Sequence, residues 1–297
     1  MNSAQFVDQP TCYLCGCDRR TLEREQGTAE GQLYLRWVRC RDCSLVYLDP
    51  RPSVFALSAL YDSQGYWQGG TGYKDYLDEE EWRRRQAHDR AGWLVKHLSH
   101  PTSDRVLEVG SAAGYFLQEL SSRGVLAEGL DLSRPMVRLS DQRTSHQVSV
   151  THGSVENSHY PAGRFQGLAA WGCDSNFNDP LQTFTKFADW LQPGGLLAFN
   201  FHDFDHWGTL LKGRFKLMPN ALYFLNLSHV KTLLNNSGFE LLSAKTEFCW
   251  MNLMSIYHHT GHRWLAPLLK LPLAHTPVRL PVPGSYRVLA RKRAKTT

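Results

Sequence analysis

The feature that most constrains the fold is an apolar run that ends in a turn of small residues. Val106-Leu-Glu-Val-Gly110 reads as a buried strand, and Gly110-Ser-Ala-Ala-Gly114 follows before a helix opens at Tyr115. Small residues let the backbone turn sharply and approach a ligand, beside the free amides of a helix N-terminus. The next apolar run, Leu126–Leu132, carries Asp131 near its end. An acid there accepts hydrogen bonds from ribose hydroxyls.

The pattern around this turn extends it into a domain. From Asp104 onward, short apolar runs alternate with amphipathic stretches. Strands are predicted over Arg105–Val109, Leu126–Leu132, Val148–Val150, Phe165–Trp171, Leu196–Phe201, Glu240–Phe248 and Tyr286–Arg291. Helices are predicted over Tyr115–Arg123, Pro135–Gln142, Pro180–Leu191 and Ser228–Asn236, with another over Glu79–Leu98 ahead of the first strand. This alternation predicts an α/β fold with a largely parallel sheet.

Four of the seven cysteines form two pairs, Cys12-x-x-Cys15 and Cys40-x-x-Cys43, separated by residues 16–39. Each pair sets two thiolates at a turn, and two such turns complete a tetrahedral shell of four sulfurs for Zn2+. A full shell leaves no open position, so the expected zinc is structural. Cys17 lies just beyond the first pair and is expected to be a bystander. The start of the chain shows no charged segment followed by an apolar run, and no stretch approaches the ~20 apolar residues of a membrane span. A cytoplasmic chain is expected. The net charge of +5 owes much to the tail around Arg287, Arg291, Lys292, Arg293 and Lys295, a solvated chain end. That small charge, with no base-methylation signature after Trp171, argues against nucleic acid as partner.

On these residues the chain resembles the class I S-adenosylmethionine-dependent methyltransferases. Glu108-Val-Gly-Ser-Ala-Ala-Gly114 is similar to their first motif, and Gly129-Leu-Asp-Leu-Ser133 to the ribose-holding strand end. Leu191-Gln-Pro-Gly-Gly-Leu-Leu197 is similar to the turn before the fifth strand, and Gly238-Phe-Glu240 to the start of the sixth. The cysteine pairs, Tyr47-Leu-Asp-Pro-Arg-Pro52 and Leu60-Tyr-Asp resemble a bacterial subgroup with an N-terminal zinc ribbon. Its members often act on glycans, lipids or secondary metabolites. The resemblance implies a Rossmann-like sheet, mostly parallel with an antiparallel last strand. It divides the chain into a ribbon (1–50), a helical connector and cofactor lid (51–103) and the methyltransferase domain (104–297). Three positions depart from the pattern. Ala112 stands for the middle glycine, Ser175-Asn176 for a Glu-His pair, and Asn220-Ala221 where relatives carry a His.

The resemblance implies S-adenosylmethionine held by Tyr73, Glu108, Gly110, Ser111, Ala112, Gly114, Asp131, Leu132, Gly153, Ser154, Val155 and Trp171, with Tyr76 packed over it. His202 is the expected general base with Asp203 orienting it, and the bland alternative for His202 is a surface or satisfied histidine. Asp174, Asn176, His206, Tyr223, Tyr257, His258 and His259 are the expected acceptor contacts. The last three lie in a substrate-capping insertion at 250–285. Its run Leu265–Leu273 is expected to pack on the core, with homodimer pairing and peripheral membrane contact as alternatives. The expected activity is methyl transfer to a small-molecule, glycan or lipid-linked acceptor in a biosynthetic pathway. The alternative is a zinc-ribbon binding module whose Rossmann domain senses S-adenosylmethionine without catalysis.

Overall fold

The computed structural model describes residues 5–27, 34–68, 76–212, 221–253, 267, 274 and 276–294. The first part of the chain is β1 (Phe6–Val7), β2 (Arg20–Gly27), β3 (Tyr34–Cys40), β4 (Val46–Leu48) and β5 (Arg51–Pro52), then α1 (Val54–Asp62), α2 (Gln64–Gln68) and α3 (Glu80–Val95). The second part is β6 (Arg105–Val109), α4 (Tyr115–Ser121), β7 (Leu126–Asp131), α5 (Arg134–Arg143), β8 (Ser149–His152), β9 (Phe165–Ala170), α6 (Pro180–Trp190) and β10 (Leu191–His202). It continues with α7 (Trp207–Lys212), β11 (Tyr223–Phe224), α8 (Leu227–Asn236), β12 (Phe239–Met251) and β13 (Val278–Lys292).

Seven strands form one sheet in the order β12-β13-β10-β9-β6-β7-β8. β8, β7, β6, β9 and β10 run parallel, and β13 lies antiparallel between β10 and β12. This mostly parallel sheet with an antiparallel last strand is the Rossmann-like sheet that the resemblance implies. Alternation along β6 shows why it is buried on both faces. Leu107 and Val109 pack with Phe184, Phe187 and Phe199 on one side, whereas Val106 packs with Leu94, Phe116 and Leu120 on the other.

Helix starts follow their capping residues. Asp179 accepts from the Gln182 amide and Pro180 opens α6 without losing a needed donor. Asn226 and His229 form a reciprocal capping box at the start of α8.

Two elements outrun their sequence patterns. β10 begins at Leu191 because the Pro-Gly-Gly turn is a bulge within the pairing to β9. β12 and β13 stay paired as far as Met251 with Val278, across a second irregularity between Thr246 and Phe248. Pro281 and Pro283 hide that strand from a pattern search, since proline is tolerated at strand bulges. Residues 250–251 and 278–285 of the expected capping insertion therefore continue these strands.

The cysteine-bearing segment builds a four-stranded sheet in the order β11-β4-β3-β2. Three strands come from the first 48 residues, but the fourth, β11, comes from beyond β10. The lobe is thus closed by chain from the other end of the molecule.

Candidate functional site

A cavity of about 370 Å3 opens at the carboxyl ends of β6, β7 and β9. In open parallel sheets this is where ligands bind, because strand order reverses there and the loops diverge. Its floor is the small-residue turn. Gly110 sits at φ +73°, where an added Cβ would meet the Cys173 Sγ at 2.2 Å. Gly114 caps α4 in the left-handed region, with Ser140 Oγ 2.2 Å from its would-be Cβ. Ala112 also has positive φ, 45°. A side chain there is strained, which explains why glycine is the pattern residue and why alanine, the smallest replacement, is tolerated.

Asp131 is buried at the end of β7. Its Oδ2 accepts from the Ala112 amide at 2.7 Å and its Oδ1 from the Ser133 amide at 2.8 Å. Burial pushes its carboxyl up to about 6, and the two amides oppose that shift. Glu108 is raised well above the usual carboxylate range, also by burial, with the Arg90 charge opposing. Its Oε2 is buried and has no hydrogen-bond partner among the described residues, as is true of Ser111 Oγ and Trp171 Nε1. Buried polar atoms are nearly always paired, so these mark places for a ligand or ordered water. Leu132, Gly153, Ser154 and Val155 line the same cavity.

The wall opposite the turn is aromatic. Tyr61, Tyr66, Trp67 and Tyr76 form a chain of edge contacts at 4.7, 4.9 and 5.1 Å between ring centroids. Asn176 Nδ2 donates to the Tyr61 hydroxyl at 2.7 Å, so the loop after β9 meets α1 across the cavity mouth. Tyr73, Tyr257, His258 and His259 lie outside the described residues.

Helix α3 supplies the cationic side. Arg83, Gln86, Ala87 and Arg90 line the cavity at one-face helical spacing. Arg90 bonds Glu247 Oε1 through Nε (2.9 Å) and Nη2 (2.7 Å), and its guanidinium lies 4.6 Å from the Trp171 ring centroid. Glu247 is fully buried, at the strand irregularity that turns it inward. Gln86 ties the same corner down, donating to Glu247 and Phe248 and accepting from the Trp250 amide. Sequence reasoning does not assign Arg90, Gln86, Tyr61, Trp67 or Trp250 to the cofactor cavity. The i, i+3, i+4, i+7 spacing of polar and small residues within α3 is the signal that points to the first two.

Several expected acceptor residues lie elsewhere. His202 and Asp203 are not on the cavity wall. The His202 amide donates to Asp174 Oδ2 at 3.3 Å, and Asp203 accepts from the Asp205 and Leu227 amides. Both Asp203 oxygens are thus occupied by backbone. His206 Nδ1 accepts from the Gly208 amide, and Tyr223 is fully buried between the lobe and the core. Asp174 is buried behind the loop, and burial raises its carboxyl. Of that set, Asn176 reaches the cavity.

In the lobe, the sulfurs of Cys12, Cys15, Cys40 and Cys43 all lie within 4.8 Å of one another. Zn–S bonds of about 2.3 Å in a tetrahedron need sulfurs about 3.8 Å apart, so the donor set fits a zinc ion. Cys12 and Cys43 are 3.4 Å apart, and the Cys43 thiol draws the Cys12 thiol down to about 5. The same contact raises the Cys43 thiol and burial raises that of Cys40, so the spacing of the four sulfurs carries the fit to a metal. Cys17 turns away and accepts from the Arg19 amide.

Comparison with known proteins agrees with this geometry. The chain matches the methyltransferase domain family over residues 81–244. It is 28% identical over 109 residues to YdaC of Bacillus subtilis (strain 168), named an uncharacterized methyltransferase, covering 36% of this chain and 60% of that protein. It is 26% identical over 152 residues to a methyltransferase-named protein of Geobacillus sp. (strain WCH70), covering 48% of this chain and 57% of the other. The chain therefore spans about three fifths of the length of these curated relatives. The magnesium protoporphyrin IX methyltransferase of Synechocystis PCC 6803, solved with bound SAH, shares the fold. Its TM-score is 0.53 at 15% identity, covering 80% of this chain and 99% of that one. No described helix is long and apolar enough to cross a membrane. With the glycine turn, Asp131 and the seven-stranded sheet all inside or beside the matched segment, the chain belongs to the methyltransferase domain family.

Proposed function

We propose that this chain transfers the methyl group of S-adenosylmethionine to a small-molecule, glycan or lipid-linked acceptor, and that its four-cysteine cluster holds a structural zinc. One observation carries the reading: unpaired Glu108, paired-but-accepting Asp131 and the glycine turn converge on one aromatic-walled cavity at the strand ends. The residues fit a nucleoside that carries an amino acid. Asp131 retains lone pairs for two ribose hydroxyls, and Glu108 Oε2 is placed to accept from an ammonium. Arg90 has no hydrogen-bond partner on Nη1 among the described residues, which suits a carboxylate. Gly153, Ser154 and Val155 wall the base.

The cofactor, when bound, supplies an already activated methyl group, so the protein's work is alignment and exclusion of water. Trp67, Tyr76 and Trp171 exclude solvent from the cavity. Asn176 and Tyr61 offer a polar edge at its mouth, where an acceptor's hydroxyl or amine would be oriented. The acceptor enters from the side of Cys249 and Trp250, which line the cavity.

The decisive experiment pairs calorimetry with turnover. Purified protein is expected to bind S-adenosylhomocysteine at one site per chain. It is also expected to release that product from S-adenosylmethionine when supplied with a pool of glycan, lipid-linked and small amphipathic acceptors. No binding by calorimetry and no thermal shift with either compound would remove the reading.

A further inference from the structure

The cysteine-bearing lobe is tied to the rest of the chain at several places, and one of these ties leads to the loop that follows β9. Leu222 is the joint. Its amide donates to the Ser175 carbonyl at 2.8 Å, and its own carbonyl accepts from the Leu48 amide at 2.8 Å. A single residue therefore bonds the cavity loop on one side and strand β4 of the lobe on the other. Immediately beyond it, Tyr223 pairs with Tyr47 and Phe224 with Val46 as β11 completes the lobe's sheet. Trp37 of β3 donates to the Ala221 carbonyl from the same side.

A second tie reaches the metal cluster itself. His229, buried in the first turn of α8, contacts the Cys43 carbonyl through Nε2 at 2.8 Å. Its Nδ1 accepts from the Asn226 amide, which makes Nε2 the protonated nitrogen and a donor to Cys43. The ring thus joins the second cysteine knuckle to α8. Between these ties sit three buried tyrosines. Tyr13 is 5.6 Å from Tyr47 and 5.9 Å from Tyr223 by ring centroids, and none of their hydroxyls has a partner among the described residues.

The far end of this chain of contacts is the cavity. Gly172, Cys173, Asn176, Phe177 and Asn178 line it, and Ser175 sits among them. Burying a metal knuckle against a helix and a two-residue strand serves no purpose for the knuckle alone. A detached four-cysteine ribbon satisfies its own metal. Through Leu222 the arrangement reaches the backbone of this loop at the Ser175 carbonyl.

We infer that the metal-loaded lobe is a positioning element for the cavity loop, with Leu222 as the joint and His229 as the residue that transmits the order of the cysteine cluster. Neither residue touches the cavity. The inference rests on the proposed cofactor reading only for its affinity readout, and the exchange readout below stands without it.

The test uses the full chain in four forms: wild type with zinc, wild type stripped by a chelator and verified by metal analysis, His229→Ala, and His229→Gln. Asn226→Ala serves as control, because it removes the cap of the same helix without removing the donor to Cys43. Amide exchange is read at Leu222 and Asn176 against β6 and β7, and S-adenosylhomocysteine affinity is read by calorimetry. Losing one buried hydrogen bond of about 1 kcal/mol corresponds to roughly fivefold, so stripped protein and His229→Ala are expected to exchange about fivefold faster at the two loop amides, with cofactor affinity about fivefold weaker. β6 and β7 should not change, His229→Gln should stay near wild type, and Asn226→Ala should spare both readouts. Unchanged loop exchange in folded, metal-free protein and in His229→Ala overturns the inference. So does an equal effect in Asn226→Ala, or unfolding of the whole chain in both perturbed forms. If no form binds S-adenosylhomocysteine, the proposed function fails, and the exchange data still decide the inference.

Discussion

The glycine turn and the cysteine lobe hold their ligand groups in opposite ways. In the turn, the glycine bend and both carboxylates lie within one βαβ stretch, from Glu108 to Ser133, with Glu108 Oε2 unpartnered among the described residues and Asp131 oriented by two backbone amides. In the lobe, the four sulfurs come from two short knuckles, but the lobe's placement depends on partners nearly two hundred residues away, His229 on Cys43 and Ala221 on Trp37. Ligand chemistry is written in short spacings in both regions. Placement is local in one and long-range in the other.

The largest expected effect tests the lobe. Cys40→Ser removes one of four thiolate ligands, and the remaining three leave an uncompensated open site. Metal analysis should fall from about one zinc per chain to well below it, with a loss of roughly 10 °C in melting temperature. Full zinc occupancy in the variant, or none in the parent protein prepared without chelator, would show that the cluster is not a metal site.

The next effect tests the turn. Asp131→Ala removes the acceptor that both neighbouring amides already orient. Two hydrogen bonds to a charged group, at roughly 1.5 kcal/mol each, predict S-adenosylhomocysteine binding about a hundredfold weaker. The zinc content should not change. Equal calorimetric affinity in variant and parent would mean that the ribose lies elsewhere.

A smaller effect comes from pH, and its sign separates affinity from stability. Asp131 is raised to about 6 in the fold, so below that pH it is protonated and a poorer acceptor for the ribose. Through this group, cofactor affinity should fall about fourfold between pH 7 and pH 5.5. The unliganded fold responds the other way. A carboxyl whose folded value exceeds its unfolded value binds protons more readily when folded, so this group favours the fold as pH drops from about 6 toward its ordinary range near 4. Calorimetric affinity across this window should lose its pH dependence in Asp131→Asn if Asp131 is the titrating group.

The same contrast explains which parts of the molecule are legible in the sequence. Strand β6 and its turn are legible because alternation, glycine and a following helix fall within ten residues, and Asp131 follows from the next strand's end. The cysteine pairs are legible for the same reason. Tyr61, Trp67 and Arg90 are not, because the resemblance implies a cofactor lid over 51–103 without saying which of its helical side chains reach the cavity. Arg90 gains its place from Glu247, whose inward aim depends on a strand irregularity beside two prolines. The pairing of β11 with β4 is invisible for a simpler reason. A two-residue strand has no period, and its partner lies across most of the chain.

His202 provides the smallest expected effect and the sharpest check on the division between the cavity and its support. It stands at the end of β10, where sequence reasoning places a general base. In the fold, the backbone amide of His202 donates to Asp174, and the cavity is lined without its ring. A base must come within hydrogen-bond reach of the proton it removes, directly or through one water. A ring that is not on the cavity wall meets that condition only if the wall rearranges. His202→Ala should therefore leave S-adenosylhomocysteine affinity within about twofold and turnover within about threefold, since surface or supporting substitutions usually cost little. Asn176→Ala changes a residue that faces the cavity and bonds Tyr61, so it should lower turnover more than His202→Ala does while sparing cofactor affinity. Turnover decides the matter. A hundredfold loss in His202→Ala with unchanged cofactor affinity would restore the histidine as the base, and would mean that the cavity loop moves aside when the acceptor binds.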